Sequence, residues 1–162
     1  DASKFENAFF VNGIGSSLNF WKKKKIINKT MIPTDRFETI VHPTASVSKF
    51  SSIGLGTVIF QNVTITSNVK IGNHVVILPN TSISHDSVIG DYTCITGGVR
   101  VSGGVTIGES CYLGTNCSLL ENITIGKYCL IGMSSNILKN VEDNSIMVGN
   151  PARFMRKVRS DE

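Results

Sequence analysis

The sequence lacks the features of membrane and secreted proteins. No apolar run in its 162 residues approaches the roughly 18 residues that a membrane helix needs. The start, DASKFENAFF, has no basic flank, apolar core or small-residue cleavage site of a signal peptide. We therefore expect a cytoplasmic protein with no membrane partner. Because the first residue is Asp1 rather than Met, we also expect the natural N-terminus to lie elsewhere.

Patterns typical of metal sites, disulfides and nucleic-acid surfaces are missing too. The four cysteines form no C-x-x-C pair and have no histidine at zinc spacing, so we expect reduced, structural thiols and no metal. The net charge of +4 is modest, and the basic run from Lys22 to Lys25 has no interleaved aromatic residues. No nucleic-acid partner is expected, whereas an anionic small molecule such as a nucleotide remains compatible with this charge.

A six-residue repeat is the main positive feature. An aliphatic residue occupies every sixth position over seventeen consecutive hexads, from Val41 to Ile137. A small or β-branched residue stands two positions before these residues, so the inward positions alternate at intervals of two and four. An interval of two keeps side chains on one face of a strand, whereas a helix needs three and four. Each hexad is therefore predicted to be a short strand followed by a bend.

A second period of eighteen residues predicts how these strands stack. Glycine follows the aliphatic residue at Gly54, Gly72, Gly90, Gly108 and Gly126. One coil should therefore contain three strands, and residues eighteen apart should form columns with a spacing of about 4.8 Å. The predicted fold class is an all-β solenoid, a parallel β-helix of hexapeptide repeats in which each coil contacts only its neighbours. Its narrow interior suits small residues, and Cys111, Cys117 and Cys129 are interpreted as such.

The segment before the repeat reads as a β-strand, a glycine-containing turn and a helix from Leu18 to Asn28. Ser16 or Ser17 is the candidate N-cap of this helix, and Pro33 is expected to end it. The Lys22 to Lys25 run is interpreted as a solvated helix face.

The segment after the repeat is predicted to contain a turn from Gly149 to Ala152 and then a short basic helix. That helix would carry Arg153, Arg156 and Lys157. It either caps the last coil or supplies cations for phosphate groups at the end of the coil.

Three histidines are the candidates for proton transfer near neutral pH. His42 and His74 are interpreted as bend residues, the latter solvated. His85 differs because the eighteen-residue period places the dipeptide Gly103-Gly104 one coil beyond His85-Asp86. The spacing predicts a notch without side chains, where backbone N–H groups lie beside an imidazole. Acyl transfer uses a general base together with backbone donors for the developing oxyanion.

Several segments resemble one group of bacterial enzymes. HDSVIGD followed by SGGVTIG matches the element H-[DE]-x-x-I-G-[DE] with S-G-G-V-x-I-G downstream, and TIVHPTASVS and IMVGNPAR extend the resemblance over about residues 10 to 155. These motifs resemble the sugar O- and N-acyltransferases of the sialic-acid O-acetyltransferase-like family. That family includes the enzymes that acetylate UDP-4-amino sugars in bacillosamine-type pathways, and their perosamine relatives.

The resemblance implies an acetyl-CoA-dependent enzyme, with acetyl-CoA as co-substrate, that acts on a nucleotide sugar, in surface polysaccharide biosynthesis. It implies a left-handed winding and a homotrimer with acetyl-CoA in the groove between two subunits. His85 would be the general base and Asp86 the acidic neighbour that raises its basicity. Gly15 would contact the sugar nucleotide. The candidate cofactor-binding residues are Cys94, Gly103, Gly104, Thr115 and Met133.

The resemblance also implies a division of the chain into three parts. Residues 1–38 would be the remnant of an N-terminal α/β nucleotide-sugar-binding domain, of which only the last strand and helix are present. Residues 39–141 would be the β-helix acyltransferase domain, and residues 142–162 the C-terminal loop and short basic helix. On this division the acceptor pocket is incomplete.

Alternative functions remain at this point. The preferred acceptor is the amine of a UDP-linked 4-amino sugar, and the alternative is a hydroxyl of a sialic-acid-like sugar, because His85 could serve either nucleophile. A non-catalytic trimerisation module is a second alternative. A zinc hydratase on the same fold is disfavoured, because its histidines include a pair five residues apart, whereas His74 and His85 are eleven apart. For Asp86, a turn residue that bonds its own backbone is the structural alternative.

Overall fold

The computed structural model describes residue 5 and residues 7–158, and most of them form a parallel β-helix. Each hexad contributes a two-residue strand that pairs in parallel with the strands eighteen residues before and after it. The strands are β1 (Ile40–Val41), β2 (Ser46–Val47), β3 (Ser52–Ile53), β4 (Val58–Ile59), β5 (Thr64–Ile65), β6 (Lys70–Ile71), β7 (Val76–Ile77), β8 (Ser82–Ile83), β9 (Val88–Ile89), β10 (Cys94–Ile95), β11 (Arg100–Val101), β12 (Thr106–Ile107), β13 (Tyr112–Leu113), β14 (Ser118–Leu119), β15 (Thr124–Ile125), β16 (Leu130–Ile131) and β17 (Asn136–Ile137).

The strands form the three faces of a triangular prism. Face 1 has the order β1-β4-β7-β10-β13-β16 and continues into the C-terminal hairpin, face 2 has β2-β5-β8-β11-β14-β17, and face 3 has β3-β6-β9-β12-β15. The chain visits the faces in turn, so one coil takes eighteen residues. This confirms the predicted six-residue and eighteen-residue periods. Among the described residues, no helix is long and apolar enough to cross a bilayer.

Each bend depends on one residue in the left-handed backbone conformation. Such a residue recurs at every sixth position from Gly56 to Ser134, with φ between 53° and 70°. From His74 onward its N–H donates to the carbonyl nineteen residues earlier, as from Asp86 to Ser67 and from Gly104 to His85. Because Gly, Asn and Asp tolerate this conformation best, they are common at these positions. Each bend is thus bonded to the bend of the preceding coil.

The interior holds the predicted aliphatic and small residues. The aliphatic side chains from Ile59 to Ile137 are buried, as are the small residues two positions before them. Buried hydroxyls share one hydrogen-bonding pattern: Thr57, Thr81 and Thr93 each donate to the carbonyl fifteen residues further on. The thiols of Cys111 and Cys129 point at nearby carbonyls in the same way, 3.0 and 3.1 Å away. The cysteines are unpaired and buried, and two of them act as weak donors besides filling space.

The N-terminal segment packs on face 1, but its helix differs from the prediction. A 3-10 turn (Phe20–Lys22) leads into α1 (Lys23–Lys29), and a second 3-10 turn spans Thr34–Arg36. The helix ends four residues before Pro33, because Met31 takes a left-handed conformation with φ 56°. The Ser16 hydroxyl accepts a hydrogen bond from the Leu18 N–H and does not cap α1. Where a strand was predicted, Phe10 forms a single parallel bridge with Phe37.

The predicted C-terminal helix is wrong. Residues after the coil form a hairpin of β18 (Ser145–Gly149) and β19 (Ala152–Lys157), and the turn between them begins at Gly149 as expected. β18 pairs in parallel with β16 and extends face 1, and β19 pairs antiparallel with β18. The last coil would otherwise end in unpaired backbone groups, which β18 satisfies. This pairing outweighs the local helical spacing of the basic residues, which lie exposed on β19.

Packing of α1 against the coil buries a lysine. Lys23 is fully buried, its ammonium has no hydrogen-bond partner, and burial lowers its pKa from 10.5 to about 8. The folded protein therefore binds fewer protons than the unfolded chain between pH 8 and 10.5. Below pH 8 the charged form destabilises the fold by about 3 kcal/mol, and this penalty disappears as the pH rises to 10.5.

We predict that Lys23→Met raises the free energy of unfolding at pH 7 by about 1 to 3 kcal/mol, because it removes this penalty. The gain should shrink toward pH 10.5, as measured by denaturant titrations at several pH values. Lys25→Met, which changes an exposed lysine of the same helix, is the matched control and should show no such pH-dependent gain. An equal gain at every pH would contradict the prediction.

Candidate functional site

The prism has three edges, where the chain bends from one face to the next. We call the edge between faces 1 and 2 the first edge, that between faces 2 and 3 the second edge, and that between faces 3 and 1 the third edge. The pair His85-Asp86 lies on the second edge, in the bend between β8 and β9. Thr115 and Met133 lie on the first edge, in the bends after β13 and β16.

His85 and Asp86 form a hydrogen-bonded pair on the second edge. The Nδ1 atom of His85 lies 2.8 Å from Oδ2 of Asp86. Hydrogen bonds from His85 and then Asn68 lower the pKa of the Asp86 carboxyl. An ionised carboxylate accepts hydrogen bonds only, so Nδ1 is the donor in this contact, and in the neutral ring the lone pair is on Nε2. The side chains are 65% and 59% exposed, so the pair faces open space and contributes little to stability.

Gly103 allows the imidazole to lie over the next coil. A Cβ atom added at Gly103 would lie 2.6 Å from Cε1 and 2.7 Å from Nε2 of His85. No side chain fits there without moving the ring. The neighbouring position is filled differently, because Oδ1 of Asn122 would lie 2.4 Å from a Cβ atom at Gly104. The notch predicted from the sequence is therefore present, with an imidazole across one glycine and an amide across the other.

The predicted pair of free backbone donors needs a correction. The Gly104 N–H donates to the carbonyl of His85 at 2.9 Å, as the repeating bend requires, so it is not free for a ligand. Among the described residues, the Gly103 N–H has no such partner. One backbone donor, rather than two, lies beside the imidazole.

The structure separates the predicted cofactor-binding residues into different places. Thr115 and Met133 share a column with Gly97 on the first edge, and Met133 is 75% exposed. The Thr115 hydroxyl donates to the Thr96 hydroxyl at 3.3 Å. This column offers an exposed line along the coil axis. Face 2 lies between it and the second edge, so one chain does not bring Met133 beside His85.

Cys94, a predicted cofactor contact, is buried within the single chain, and its part in cofactor binding stays a prediction. It lies on face 1, opposite the second edge, and is 1% exposed. Its Sγ atom would lie 2.9 Å from a Cβ atom at Gly15, because the N-terminal segment covers it. Gly15, the predicted substrate contact, therefore lies against Cys94 and away from His85. Burial raises the pKa of the Cys94 thiol.

His74 is buried, so its interpretation as a solvated bend residue is wrong. It is 2% exposed on the third edge, where its ring stacks on Tyr92 at 5.3 Å and meets the edge of Phe37 at 4.6 Å. The N-terminal segment supplies Phe37, a contact that no repeat predicts. His42 matches its interpretation as a local turn residue, because its Nδ1 lies 3.0 Å from the Thr44 hydroxyl.

Sequence reasoning missed one residue of the second-edge site. Nδ2 of Asn68 lies 3.2 Å from Oδ1 of Asp86. Asn68 is eighteen residues before Asp86, so the column rule that placed Gly103 beside His85 could also have found it.

A basic hollow lies at the C-terminal end of the coil. It has a volume of about 480 Å³, and the exposed cations Lys139 and Arg153 line it together with Leu138, Pro151 and Phe154. A hairpin strand, rather than the predicted helix, supplies Arg153. In the part of the chain that the structure describes, no group of three or more His, Cys, Asp or Glu side chains is arranged to hold a metal ion.

The coil matches a known family of repeats. The model of bacterial transferase hexapeptide repeats (six repeats) matches residues 68–103 and again residues 104–139. These two blocks contain His85, Asp86, Gly103 and Gly104, and hexapeptide repeats of this kind fit a left-handed winding. No curated protein sequence matches this chain.

Three solved structures show how widely the fold is shared. PerB from Caulobacter crescentus, in complex with CoA and GDP-perosamine, is 22% identical with a TM-score of 0.87, over 96% of this chain and 73% of that one. A mutant of GDP-perosamine N-acetyltransferase from the same bacterium, with the same ligands, is 21% identical with a TM-score of 0.78 and the same coverage, 96% and 73%. The acetyltransferase domain of PglB from Neisseria gonorrhoeae FA1090, in complex with acetyl coenzyme A, is 22% identical with a TM-score of 0.77, over 93% and 83%.

We predict that His74→Phe reduces the sensitivity of the fold to acid. Burial lowers the pKa of His74 below 6.5, so the unfolded chain takes up a proton first as the pH falls through 6.5 and stability is lost. Phenylalanine cannot take up a proton in the unfolded chain. An aromatic residue is tolerated in the bend, as Tyr92 and Tyr128 show. Unfolding free energies between pH 8 and 5 should fall less steeply than in the natural protein. His42→Phe, at an exposed position, is the control, and an unchanged slope in His74→Phe would refute the assignment.

Proposed function

We propose that this chain, which carries the hexapeptide repeats of the bacterial transferases, transfers an acetyl group from acetyl-CoA to the amine of a nucleotide-linked 4-amino sugar. The observation that carries the proposal is the hydrogen-bonded pair His85-Asp86 with the imidazole lying over Gly103. A general base beside a free backbone donor is the arrangement that acyl transfer uses. PerB, whose structure contains CoA and GDP-perosamine, has the same fold.

In this proposal His85 moves the proton. Asp86 accepts a hydrogen bond from the Nδ1–H group, which orients the ring and leaves Nε2 to take a proton from the attacking amine. The Gly103 N–H lies beside the ring and donates a hydrogen bond to the oxygen that gains negative charge. Acetyl-CoA, when bound, would supply the acyl group as a thioester: the C–N bond to the amine forms, the C–S bond breaks, and CoA leaves as the thiol with the proton that His85 took. A metal ion has no part in the proposed reaction.

The complete site would need two copies of the chain. The exposed column of Gly97, Thr115 and Met133 lies on the first edge, whereas His85 lies on the second edge, across face 2. A neighbouring copy that places its first edge against the second edge would bring the two together, and three copies close the ring. We therefore propose a homotrimer with the extended arm of acetyl-CoA between two subunits.

The phosphates of the donor would lie at the C-terminal end of the coil. Lys139 and Arg153 line the hollow there, and Lys139 lies three coils beyond His85 on the second edge. Cations on rigid strands hold phosphate groups well, because the charge is already in place before binding. The basic C-terminal residues were predicted to supply cations for phosphate groups. The proposal keeps this role for Arg153, which lies on a hairpin strand rather than on a helix.

These placements support the proposed division of the chain into three parts. Residues 39–141 would supply the donor side and the base, residues 142–162 would form the C-terminal part, and residues 1–38 would belong to the acceptor side with Gly15. A cytoplasmic location is part of the proposal, since acetyl-CoA and nucleotide sugars are made there. UDP is the first choice for the nucleotide. The following experiments distinguish this reaction from two alternatives. One is transfer to a hydroxyl of a sialic-acid-like sugar, and the other is a non-catalytic trimerisation module.

We predict that His85→Ala lowers turnover at least about a hundredfold, as expected on removal of a general base, and leaves acetyl-CoA binding in place. Turnover is measured as CoA release with UDP- and GDP-linked 4-amino sugars and with sialic acid. The four cysteines are buried, so a thiol reagent reports released CoA rather than protein. Binding is measured as the thermal shift caused by acetyl-CoA.

The outcomes of this experiment differ for each candidate function. Near-normal turnover in His85→Ala refutes the base. Acetylation of sialic acid alone favours the O-acetyltransferase. No thermal shift with acetyl-CoA in the natural protein favours the trimerisation module. His42→Ala, which removes an exposed histidine outside the site, is the control and should keep full activity.

A second prediction concerns the space over Gly103. Gly103→Ala places a Cβ atom where Cε1 and Nε2 of His85 now lie, so the ring must turn away from the acceptor. We expect turnover to fall by about tenfold or more, since misplacement of a base by an ångström is costly. The control is His42→Ala, at an exposed position outside the site, which should keep full activity. Full activity of Gly103→Ala would contradict the proposed position of the imidazole.

A further inference from the structure

Asn68 lies on the second edge, one coil before the His85-Asp86 pair, and its side chain hydrogen-bonds to Asp86. Its Nδ2 lies 3.2 Å from Oδ1 of Asp86, while Oδ2 of Asp86 lies 2.8 Å from Nδ1 of His85. Each carboxylate oxygen therefore has its own partner. We propose that Asn68 is a positioning residue that holds the Asp86 carboxylate in the orientation that the base requires, an inference that rests on the proposed function.

The contact follows from the register of the coil. Asn68 and Asp86 occupy equivalent bends eighteen residues apart, and both have φ of 59°. Identical backbone conformation in successive coils makes the two side chains leave their bends in the same direction, about 4.8 Å apart. Asparagine tolerates this conformation and its amide supplies a donor, whereas the carboxylate supplies only acceptors. The pair is thus matched in backbone and in hydrogen bonding.

The need for such a partner follows from exposure. The Asp86 side chain is 59% exposed, so its carboxylate is not fixed by burial. A lone exposed ion pair pays the entropy of holding both side chains in one geometry, and its contribution is small. A second hydrogen bond, from a residue fixed in the preceding coil, limits rotation of the carboxylate. Both bonds act on the same group, since His85 and Asn68 together lower the pKa of Asp86.

The coil on the other side of Asp86 offers no equivalent partner. Gly104 follows Asp86 in this column and has no side chain, and Asn122 follows Gly104 with its amide in the space that a Gly104 Cβ would fill. The carboxylate therefore receives an amide from the preceding coil only. The hydrogen bond from Asn68 therefore holds the Asp86 carboxylate, whereas Gly103 places no side chain beside the imidazole of His85.

The chain contains a matched control for this contact. Asn62 has φ of 56° and donates through Nδ2 to Oδ1 of Asn80, eighteen residues further on, at 3.3 Å. It makes the same kind of contact from the same kind of bend, on the first edge and two coils before the bend of Gly97, where the proposed acetyl-CoA column begins. Asn62→Ala and Asn68→Ala thus carry equal backbone strain and lose an equivalent hydrogen bond. A difference in activity between the two variants is then due to the loss of the hydrogen bond from Asn68 to Asp86.

The first experiment compares the two alanine variants in the CoA-release assay. Asn68→Ala should lower kcat by about tenfold, less than the loss in His85→Ala, and leave the KM for acetyl-CoA within about twofold. Asn62→Ala should leave both constants unchanged, while both variants lose similar thermal stability. If Asn68→Ala keeps the kcat of Asn62→Ala, the positioning role is refuted. If His85→Ala also keeps full turnover, the proposed function itself has failed.

Asn68→Asp tests the same contact through pH. It keeps the bend, because aspartate occupies the equivalent place at Asp86, but it replaces the donor with a second negative charge. The added charge favours a protonated imidazole, which cannot accept a proton, so the acidic limb of the kcat/KM profile should move to higher pH. An acidic limb at the same pH as in the natural protein would contradict the proposal.

A spectroscopic measurement needs no acceptor. The chain has three histidines, so nitrogen–proton correlation spectra of the imidazoles can be assigned with single histidine variants. The natural protein should show His85 as the tautomer with its proton on Nδ1. In Asn68→Ala the spectrum should show a mixture of tautomers, and in Asn62→Ala it should not change. A single unchanged tautomer in Asn68→Ala would refute the role.

Discussion

The structure depends on one hydrogen bond that recurs in every bend from His74 to Ser134. A residue in the left-handed conformation appears every sixth position, and over these bends its N–H donates to the carbonyl nineteen residues earlier. Two-residue strands alone make few ladder hydrogen bonds, so this bond joins the coils where the chain turns. It also keeps successive bends in register, because a bend that slipped by one residue would lose its donor and its left-handed residue together.

The candidate site is a consequence of this constraint. The residues that tolerate the left-handed conformation are Gly, Asn and Asp, and the column through Asp86 is Asn68, Asp86, Gly104 and Asn122. A carboxylate therefore stands beside His85 without added backbone strain. An amide supports it on one side, and a glycine leaves room on the other. The carboxylate, the amide and the glycine of the site thus all lie at bend positions, where the backbone conformation favours a few residue types.

The non-repeating segments complete the structure by covering what the coil leaves open. Face 1 presents Cys94 and Tyr112 outward, and the segment around Gly15 and Phe20 buries Cys94 and partly covers Tyr112. The cost is a buried lysine, Lys23, with no partner. At the other end, the hairpin of β18 and β19 pairs with the last strand of face 1. Faces 2 and 3 remain open along the second edge, where the His85-Asp86 pair stands exposed.

The repeat was predictable from the sequence because its contacts lie at a fixed separation of eighteen residues. Strand positions, the three faces, the interior residues and the stacking of Gly103-Gly104 on His85-Asp86 all follow from that separation. Asn68 follows from it too, once the column is extended by one coil. The burial of His74 under Phe37, the cover over Cys94, and the hairpin in place of a basic helix do not follow, since each depends on contacts between the coil and a segment without period. Those contacts form only when the whole chain has folded, and they outweigh local preference because they bury apolar surface and satisfy the open end of a sheet.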